Sequence, residues 1–299
     1  MRRITVYRLR LLIFQIGLLA LLSGLMYVMV YPLLVTISTS LMSFSDLVNP
    51  MTIWLARFPS LEGYRQAFEA LNFINSFRNS MFVAIVPPLL QVLSCAIVGY
   101  GFARFDFPEK NIIFGLMIFT LVVPQHVVSL PQFLLFRDLG MLNSYWPLIL
   151  PSSLGLGIKG GLLIFIFRQF FRGMPKELEE AAYIDGSGFI RTFLTVMAPN
   201  VIPAATTVFL FAFVWNYSDV FTLTMFTVTG DGANIETLVM RVINIMAHLT
   251  GREQVVRDMT QYQPARYAAI FLTIAPVLSV YLFGQRFLVQ GVERSGIVG

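Results

Sequence analysis

A charge-rich segment, residues 174–203, lies between two apolar runs and carries most of the chemistry that this sequence offers. Its carboxylates lie on a stretch with strong helix propensity, residues 176–184, and could bind basic groups in a groove of another protein. Ala181 and Ala182 form a small-residue face beside them, which would let such a surface approach closely. On composition alone, an ordinary solvated helical hairpin explains the segment equally well.

Residues suited to catalysis are scarce. Cys95 is the single cysteine and lies in an apolar run, so an internal disulfide and a cysteine-based metal site are both excluded. His126 and His248 have no serine or acid pattern around them, which argues against an intramembrane hydrolase. We therefore expect no enzyme activity and no metal site in this chain.

Lys159 is the one charge well inside an apolar run, residues 147–167. A charged residue at membrane depth by default faces a cavity, so Lys159 is a candidate to line a pathway. An anionic substrate would explain it, although a single lysine does not require one. No Asp or Glu lies inside any apolar run, whereas a secondary transporter would need such acids for ion coupling.

The elements that position the charged segment follow from its residues. Pro175 suits the first turn of a helix, and residues 176–184 continue it. Gly186 and Gly188 end that helix in a turn. Residues 189–197 then restart a helix. The apolar side chains predicted on one side of this second helix are Phe189, Phe193 and Met197.

The rest of the chain has the composition of an integral membrane protein. It is 57% hydrophobic and 12% charged, whereas a soluble domain carries about 25% charged residues. Six apolar runs are candidate membrane helices. These runs are 11–38, 79–103, 111–124, 147–167, 199–218 and 267–285. We therefore predict an all-α, polytopic membrane protein with six transmembrane helices.

The distribution of Lys and Arg predicts the orientation. Six crossings put both termini on one side. The segments assigned to that side (1–10, 104–110, 168–191 and 286–299) hold 12 Lys and Arg in 55 residues. The opposite segments (42–78, 137–146 and 219–266) hold 8 in 95. By the positive-inside rule both termini are cytoplasmic. The predicted organisation is a cytoplasmic N-tail, 1–10, a transmembrane domain, 11–285, with a cytoplasmic loop, 172–198, and a cytoplasmic C-tail, 286–299.

The charged segment resembles the EAA loop of bacterial ABC importer permeases. In that family Glu-Ala-Ala is followed by Asp-Gly and by an apolar stretch that ends in two prolines four residues apart. The matching residues are Glu180, Ala181, Ala182, Asp185, Gly186, Phe193, Pro199 and Pro203. Segments 78–85, 99–111, 122–151, 213–220 and 283–299 also resemble the carbohydrate-uptake branch, in particular its maltose-type second permease subunit. The ending, residues 297–299, departs from the usual pattern because it lacks a lysine.

This resemblance implies an ABC type I importer permease fold and a subunit for uptake of a sugar or oligosaccharide across the bacterial cytoplasmic membrane. Three partners are implied: a second permease, a dimer of ATPase subunits that binds ATP and Mg²⁺, and an extracytoplasmic solute-binding protein. This chain has no GxxxxGK[ST] motif and binds no cofactor itself. A permease for another solute, such as glycerol phosphate or a polyamine, and a secondary transporter remain the alternatives.

The resemblance also implies roles for particular residues. Glu180 would form an ion pair with the ATPase, and Gly186 would allow the elbow after the helix. The coupling residues are Glu180, Ala181, Ala182, Asp185 and Gly186. Trp215, Asn216 and Tyr217 lie on the predicted fifth helix, where an aromatic ring and an amide could stack on and hydrogen-bond a sugar. Packing and helix–helix hydrogen bonding explain those three residues as well.

Overall fold

The structure is a computed structural model that describes residues 2–49, 51, 54–227, 235–250 and 262–296. Within those ranges every regular element is helical, which confirms the predicted all-α class. A π-helical turn, Phe193–Met197, lies between α10 and α11. The helices are α1 (Arg2–Ser40), α2 (Phe44–Leu47), α3 (Glu62–Ala70), α4 (Phe73–Arg104), α5 (Lys110–Phe119), α6 (Gln125–Asp138), α7 (Trp146–Ser153), α8 (Gly160–Gly173), α9 (Glu177–Ile184), α10 (Phe189–Thr192), α11 (Ala198–Asn200), α12 (Ile202–Ser218), α13 (Val220–Phe226), α14 (Leu238–Thr250) and α15 (Gln263–Gly296).

Three helical stretches in the described part of the chain are long and apolar enough to cross a membrane. They are Leu11–Ser40, Phe73–Arg104 and Gln263–Arg286, and they contain the predicted first, second and sixth membrane helices. A fourth candidate is the pair Phe189–Asn200 and Ile202–Ser218, bent by 73° between its two parts. By length and composition these stretches make the chain an integral membrane protein.

The third apolar run ends close to its predicted end, whereas the fourth run, which was predicted as one helix, is interrupted. Helix α5 ends at Phe119, before the predicted end near Pro124, and α6 starts at Gln125. Pro124 has an extended backbone, with φ −62° and ψ 131°, which ends any helical continuation. The run 147–167 is divided between α7 and α8 by residues 154–159. The boundary at Pro124 was predicted, but hydrophobicity does not reveal the break at residues 154–159, because the sequence on both sides is apolar.

Other helix boundaries also differ from the prediction. Helix α1 starts at Arg2 rather than at Leu11, since arginine is a good helix former and no Gly or Pro interrupts residues 2–10. The last helix continues to Gly296, past the predicted end at Gln285. Helix α12 starts at Ile202, with Pro203 in its first turn, where a missing N–H costs no hydrogen bond.

The chain divides into two compact units. The first comprises Met1–Phe73 and Val242–Ile274. Within it, the Tyr64 hydroxyl lies 2.8 Å from Ser40 Oγ, and the Tyr64 ring meets the Phe271 ring edge-on at 6.4 Å. Ser43 and Asp46 form a capping box at the start of α2. The contacts of Tyr64 connect α1, α3 and α15 inside this unit.

The second unit comprises Ile74–Arg241 and Ala275–Gly299 and contains both candidate sites. Its core joins α4, α8 and α12 with the segment that precedes α12. Among the buried core residues are Cys95, Tyr100, Leu163, Phe167, Phe171, Met197, Val208 and Ala212. The burial of Cys95 confirms that it is a packing residue. Between membrane helices such packing stabilises through van der Waals contact, because lipid is as apolar as the side chains.

Candidate functional site

Helix α9 is the centre of the first candidate site, which we call the loop hairpin (residues 174–200). The helix starts at Glu177, two residues after the predicted start at Pro175. Glu177, Glu179 and Glu180 all lie in its first turn. Carboxylates there interact favourably with the positive end of the helix dipole, by about 0.3–1 kcal/mol each. The sequence therefore favours a helix at this position.

The two faces of α9 have different environments. Glu180, Ala181 and Asp185 are exposed, so this face can contact another protein. Ala182 is 7% exposed and Glu179 is 8% exposed, so both belong to the chain's own packing. Residues 179 and 182 are three apart and therefore share a face. The prediction that both alanines form an approach surface needs correction, since Ala181 alone is available outside.

A buried ion pair attaches α9 to the end of α4. Arg104 Nε lies 3.2 Å from Glu179 Oε1, and the two side chains are only 5% and 11% exposed. Arg104 Nη2 also donates a hydrogen bond to the Met174 carbonyl at 2.8 Å. One arginine thus holds both the start of the loop hairpin and the first turn of α9. Removing one partner of a buried pair typically costs about 3–5 kcal/mol, because the other charge is left buried without compensation.

The predicted glycine elbow after α9 is present. Gly186 has φ +81°, and its N–H donates to the Tyr183 carbonyl at 3.0 Å. The Ser187 N–H donates to the Ala182 carbonyl at 2.9 Å, which completes a Schellman motif. Glycine is favoured here because of its left-handed backbone and not because of crowding, since no atom lies within 4 Å of where a Cβ would be.

Aromatic contacts fix the second half of the loop hairpin. The ring of Tyr100, on α4, lies 5.7 Å from that of Phe189 and 4.9 Å from that of Phe193. Met197 is fully buried in the same core. The prediction that Phe189, Phe193 and Met197 share one side is therefore confirmed. Because Phe171 of α8 also meets Tyr100, at 5.2 Å, both halves of the hairpin are packed on the helical core.

Lys159 is the centre of the second candidate site. It follows the break between α7 and α8 and has a left-handed backbone, with φ +52°. Its side chain is exposed, and Nζ lies 4.3 Å from the centroid of the Trp215 ring on α12. This is a cation–π contact. The structure thus brings together two of the four residues that the sequence suggested for a substrate pathway.

The other two candidate pathway residues lie in the protein interior. Asn216 is 3% exposed, and its Nδ2 donates to the Ala212 carbonyl one turn earlier, at 2.8 Å. Tyr217 is 4% exposed and packs near the Phe213 ring, at 6.2 Å. Both side chains therefore support α12 from the inside. Packing and hydrogen bonding within the protein therefore describe Asn216 and Tyr217, whereas Trp215 contacts Lys159.

Sequence reasoning missed the Arg104–Glu179 pair. The two residues are distant in the chain, and each is one of several charges in its own connector. A signal was nevertheless present, because Glu179 is placed with Ala182 on the less polar side of a short helix. A charged residue on such a side needs a buried partner.

Comparisons with known proteins agree with this architecture. A model of the family described as binding-protein-dependent transport system inner membrane component matches residues 95–294. The chain is 26% identical over 278 residues to the polygalacturonan/rhamnogalacturonan transport system permease protein YtcP of Bacillus subtilis, across 90% of this chain and 93% of that relative. It is 32% identical over 235 residues to the diacetylchitobiose uptake system permease protein NgcG of Streptomyces coelicolor, across 78% and 72% of the two chains.

A solved structure has a similar fold. It is a chain from a bacterial ABC transporter involved in the import of the acidic polysaccharide alginate. The two folds align with a TM-score of 0.77 across 92% of this chain and 96% of the other, at 19% sequence identity. This likeness shows the fold alone, and the fold is that of an ABC importer permease.

Proposed function

The chain belongs to the family of binding-protein-dependent transport system inner membrane components, and from that premise we propose that it is the permease subunit of an ATP-driven importer for a sugar or oligosaccharide. The substrate class is supported by the relatives, whose names refer to transport of polygalacturonan or rhamnogalacturonan, diacetylchitobiose and maltodextrin. The chain is a transport subunit, and ATP and Mg²⁺ would bind to a separate ATPase.

The proposed assembly contains this chain, a second related permease, two ATPase subunits and an extracytoplasmic solute-binding protein. The chain crosses the bacterial cytoplasmic membrane six times with both termini inside. In this arrangement the third run and the interrupted fourth run each provide a crossing, and segments 1–10 and 286–299 are cytoplasmic. The excess of Lys and Arg in the inside segments supports this orientation.

We assign the transmission of force to the loop hairpin. When ATP closes the ATPase dimer, grooves on its surface would move and carry α9 with them. Glu180 would pair with a basic group of the ATPase, Ala181 would permit close approach, and Asp185 and Gly186 would form the elbow. Ala182 would contribute by packing α9 on the permease. The helix then acts as a lever that switches the permease between inward- and outward-open states.

The observation that carries this proposal is the difference in exposure and pairing between the two faces of α9. One face exposes Glu180, Ala181 and Asp185, and the opposite face is held by the Arg104–Glu179 pair. A solvated connector has no need of a buried ion pair. A coupling helix needs such an attachment, because its motion must be transmitted to α4. A flexible connection between α9 and α4 would not transmit it.

Lys159 and Trp215 are the residues that we propose for the substrate pathway, with Asn216 and Tyr217 supporting α12 behind them. An exposed lysine within an apolar run fits a water-filled passage. Such a passage is the place in a permease where a polar solute crosses.

The proposed function is tested by uptake into vesicles that contain the purified complex. We expect uptake of a sugar from a panel of oligosaccharides that requires ATP and the binding protein and is unchanged by a protonophore. Uptake that persists without ATP and collapses with the protonophore would instead identify a secondary transporter. ATP-dependent uptake of glycerol phosphate or a polyamine, with no sugar transported, would replace the sugar proposal.

A further inference from the structure

We propose that Lys159 binds an anionic group carried by the transported solute, so that the importer takes up an acidic sugar, such as a uronate oligosaccharide. The inference rests on the proposed function and specifies its substrate class. Three observations carry it: the break that ends at Lys159, the lack of an anionic partner for its ammonium group among the described residues, and the contact of that group with Trp215.

The break at residues 154–159 is stabilised by side chains of α4. Gln91 Nε2 donates to the Ile158 carbonyl at 2.9 Å, and Ser94 Oγ donates to the Ser152 carbonyl at 2.9 Å. Both α4 residues thus satisfy carbonyl groups that a continuous helix would have bonded internally. Gly160 must be glycine, because a Cβ there would lie 2.1 Å from the Gly155 carbonyl oxygen. The break is therefore specified by the sequence.

In the proposed topology this break lies at membrane depth, where it can border a solute path. Non-helical backbone within a membrane is tolerated only where it is buried in protein or lines a water-filled cavity. Gln91 and Gly160 are buried, but Leu156 and Lys159 on the same segment are exposed. The exposed side of the break therefore faces either a cavity or another subunit of the complex.

The ammonium group of Lys159 is available to a ligand. Within the described ranges no carboxylate lies within 4 Å of Nζ, and the contact with Trp215 is its only polar or charged contact. A lysine has three N–H donors, and one aromatic ring does not satisfy them. Membrane charges are retained where they pair, and since the described residues supply no anion, we assign the missing partner to the solute.

Trp215 positions Lys159. Its ring lies 4.3 Å from Nζ and is also stacked with the Phe211 ring, at 5.8 Å and 15°. The indole already contacts the Lys159 ammonium group and the Phe211 ring. We therefore assign it the role of holding the ammonium group rather than of stacking on a sugar. This differs from the role expected from sequence. A fixed ammonium at the break would bind a carboxylate with a charge-assisted hydrogen bond.

The test compares four forms of the complex in vesicles: unsubstituted, Lys159→Gln, Lys159→Arg and the control Arg137→Gln. Arg137 is an exposed cation of the same unit outside the proposed pathway. The probes are a galacturonate oligosaccharide, the neutral galactose oligosaccharide of equal length, and glycerol 3-phosphate. The amount of second permease that copurifies is measured for each form.

We expect Lys159→Gln to lower uptake of the galacturonate probe about tenfold, the effect of losing one charge-assisted hydrogen bond. Lys159→Arg and Arg137→Gln should retain uptake, and copurification of the second permease should not change. Equal loss with the neutral probe, no loss with either probe, or loss of the second permease would overturn the inference. The last result would assign Lys159 to a subunit contact.

Two further outcomes separate this inference from the proposed function. If the unsubstituted complex imports only the neutral probe, the sugar importer stands and the acidic specificity fails. If it imports glycerol 3-phosphate alone, and Lys159→Gln abolishes that uptake, Lys159 binds a phosphate and the sugar proposal fails. ATP-dependent uptake of none of the probes or of the wider oligosaccharide panel would overturn both.

Discussion

Glu179 and Glu180 are sequence neighbours with opposite environments. Adjacent residues on a helix point about 100° apart, so one can be buried while the other is exposed. Glu179 pairs with Arg104 inside the chain, whereas Glu180 is exposed. The two carboxylates therefore have different roles. Glu179 attaches α9 to the rest of the permease, and Glu180 is free to bind a partner.

Reversing the charge of Glu180 should uncouple the complex. In Glu180→Lys an attraction to the ATPase becomes a repulsion, while the folded permease loses no internal contact. We expect sugar uptake to fall by about ten- to a hundredfold, the loss of an ionic hydrogen bond of about 1.5–3 kcal/mol. The permease content of the membrane should not change. Glu109→Lys, at an exposed acid outside the loop hairpin, is the control and should retain most uptake. Normal uptake by Glu180→Lys would contradict the assignment.

Gly186 provides a second test at the residue scale. Its φ of +81° costs about 1–2 kcal/mol for an ordinary side chain and more for a β-branched one, whereas Asn tolerates it. We expect Gly186→Val to reduce ATP-driven uptake severely and Gly186→Asn to retain most of it. The ratio of ATP hydrolysed to sugar transported measures the effect. Similar values for Val and Asn would show that backbone conformation at the elbow does not matter.

At the scale of elements, the feature that needs explanation is the firm attachment of α9 to α4. Three kinds of contact attach the loop hairpin to α4: the ion pair of Arg104, its hydrogen bond to Met174, and the aromatic cluster around Tyr100. A short helix alone would be marginal in water, because nucleation is costly. The attachment makes α9 part of the permease core.

The Arg104–Glu179 pair predicts a clear pattern of variants. Glu179→Ala leaves Arg104 buried without its partner, and we expect the free energy of unfolding to fall by about 3–5 kcal/mol. Thermal denaturation of the purified complex measures this loss. The exchanged double variant, Arg104→Glu with Glu179→Arg, should recover part of the stability and of the uptake. If the double variant is as poor as the sum of its single changes, the pair does not hold α9.

The sequence predicted the loop hairpin better than the membrane helices. Helix α9, its glycine elbow and the apolar side of residues 189–197 follow from local patterns, so they were predictable. The end of the third helix near Pro124 was also predicted, whereas the break between α7 and α8 depends on hydrogen bonds from α4 and on the backbone conformation at Lys159. Residues that are distant in the sequence supply those bonds. For the same reason Lys159 was a candidate from its charge alone, whereas its contact with Trp215 required the fold.

At the scale of the whole molecule, the proposed topology predicts which segments are accessible from each side of the membrane. The loop hairpin is assigned to the cytoplasm, and α3 lies in a segment assigned outside. The only native cysteine, Cys95, is buried and should not react with a bulky thiol reagent, which simplifies labelling.

Cysteine labelling tests this topology directly. We expect Gln66→Cys to react with a membrane-impermeant maleimide in intact spheroplasts. Ser187→Cys should react only after the membrane is permeabilised. The unsubstituted chain is the control for Cys95. Labelling of Ser187→Cys in intact spheroplasts would reverse the proposed orientation.

The central claim is that one face of α9, and not the other, meets the ATPase. Two neighbouring alanines test it most directly, because Ala181 is exposed and Ala182 is 7% exposed. In the assembled complex, a short thiol-to-amine cross-linker should join Ala181→Cys to the ATPase subunit in high yield. It should leave Ala182→Cys unlinked. Equal cross-linking at both positions, or none at Ala181→Cys in a complex that retains its ATPase, would contradict the claim that α9 is the coupling lever.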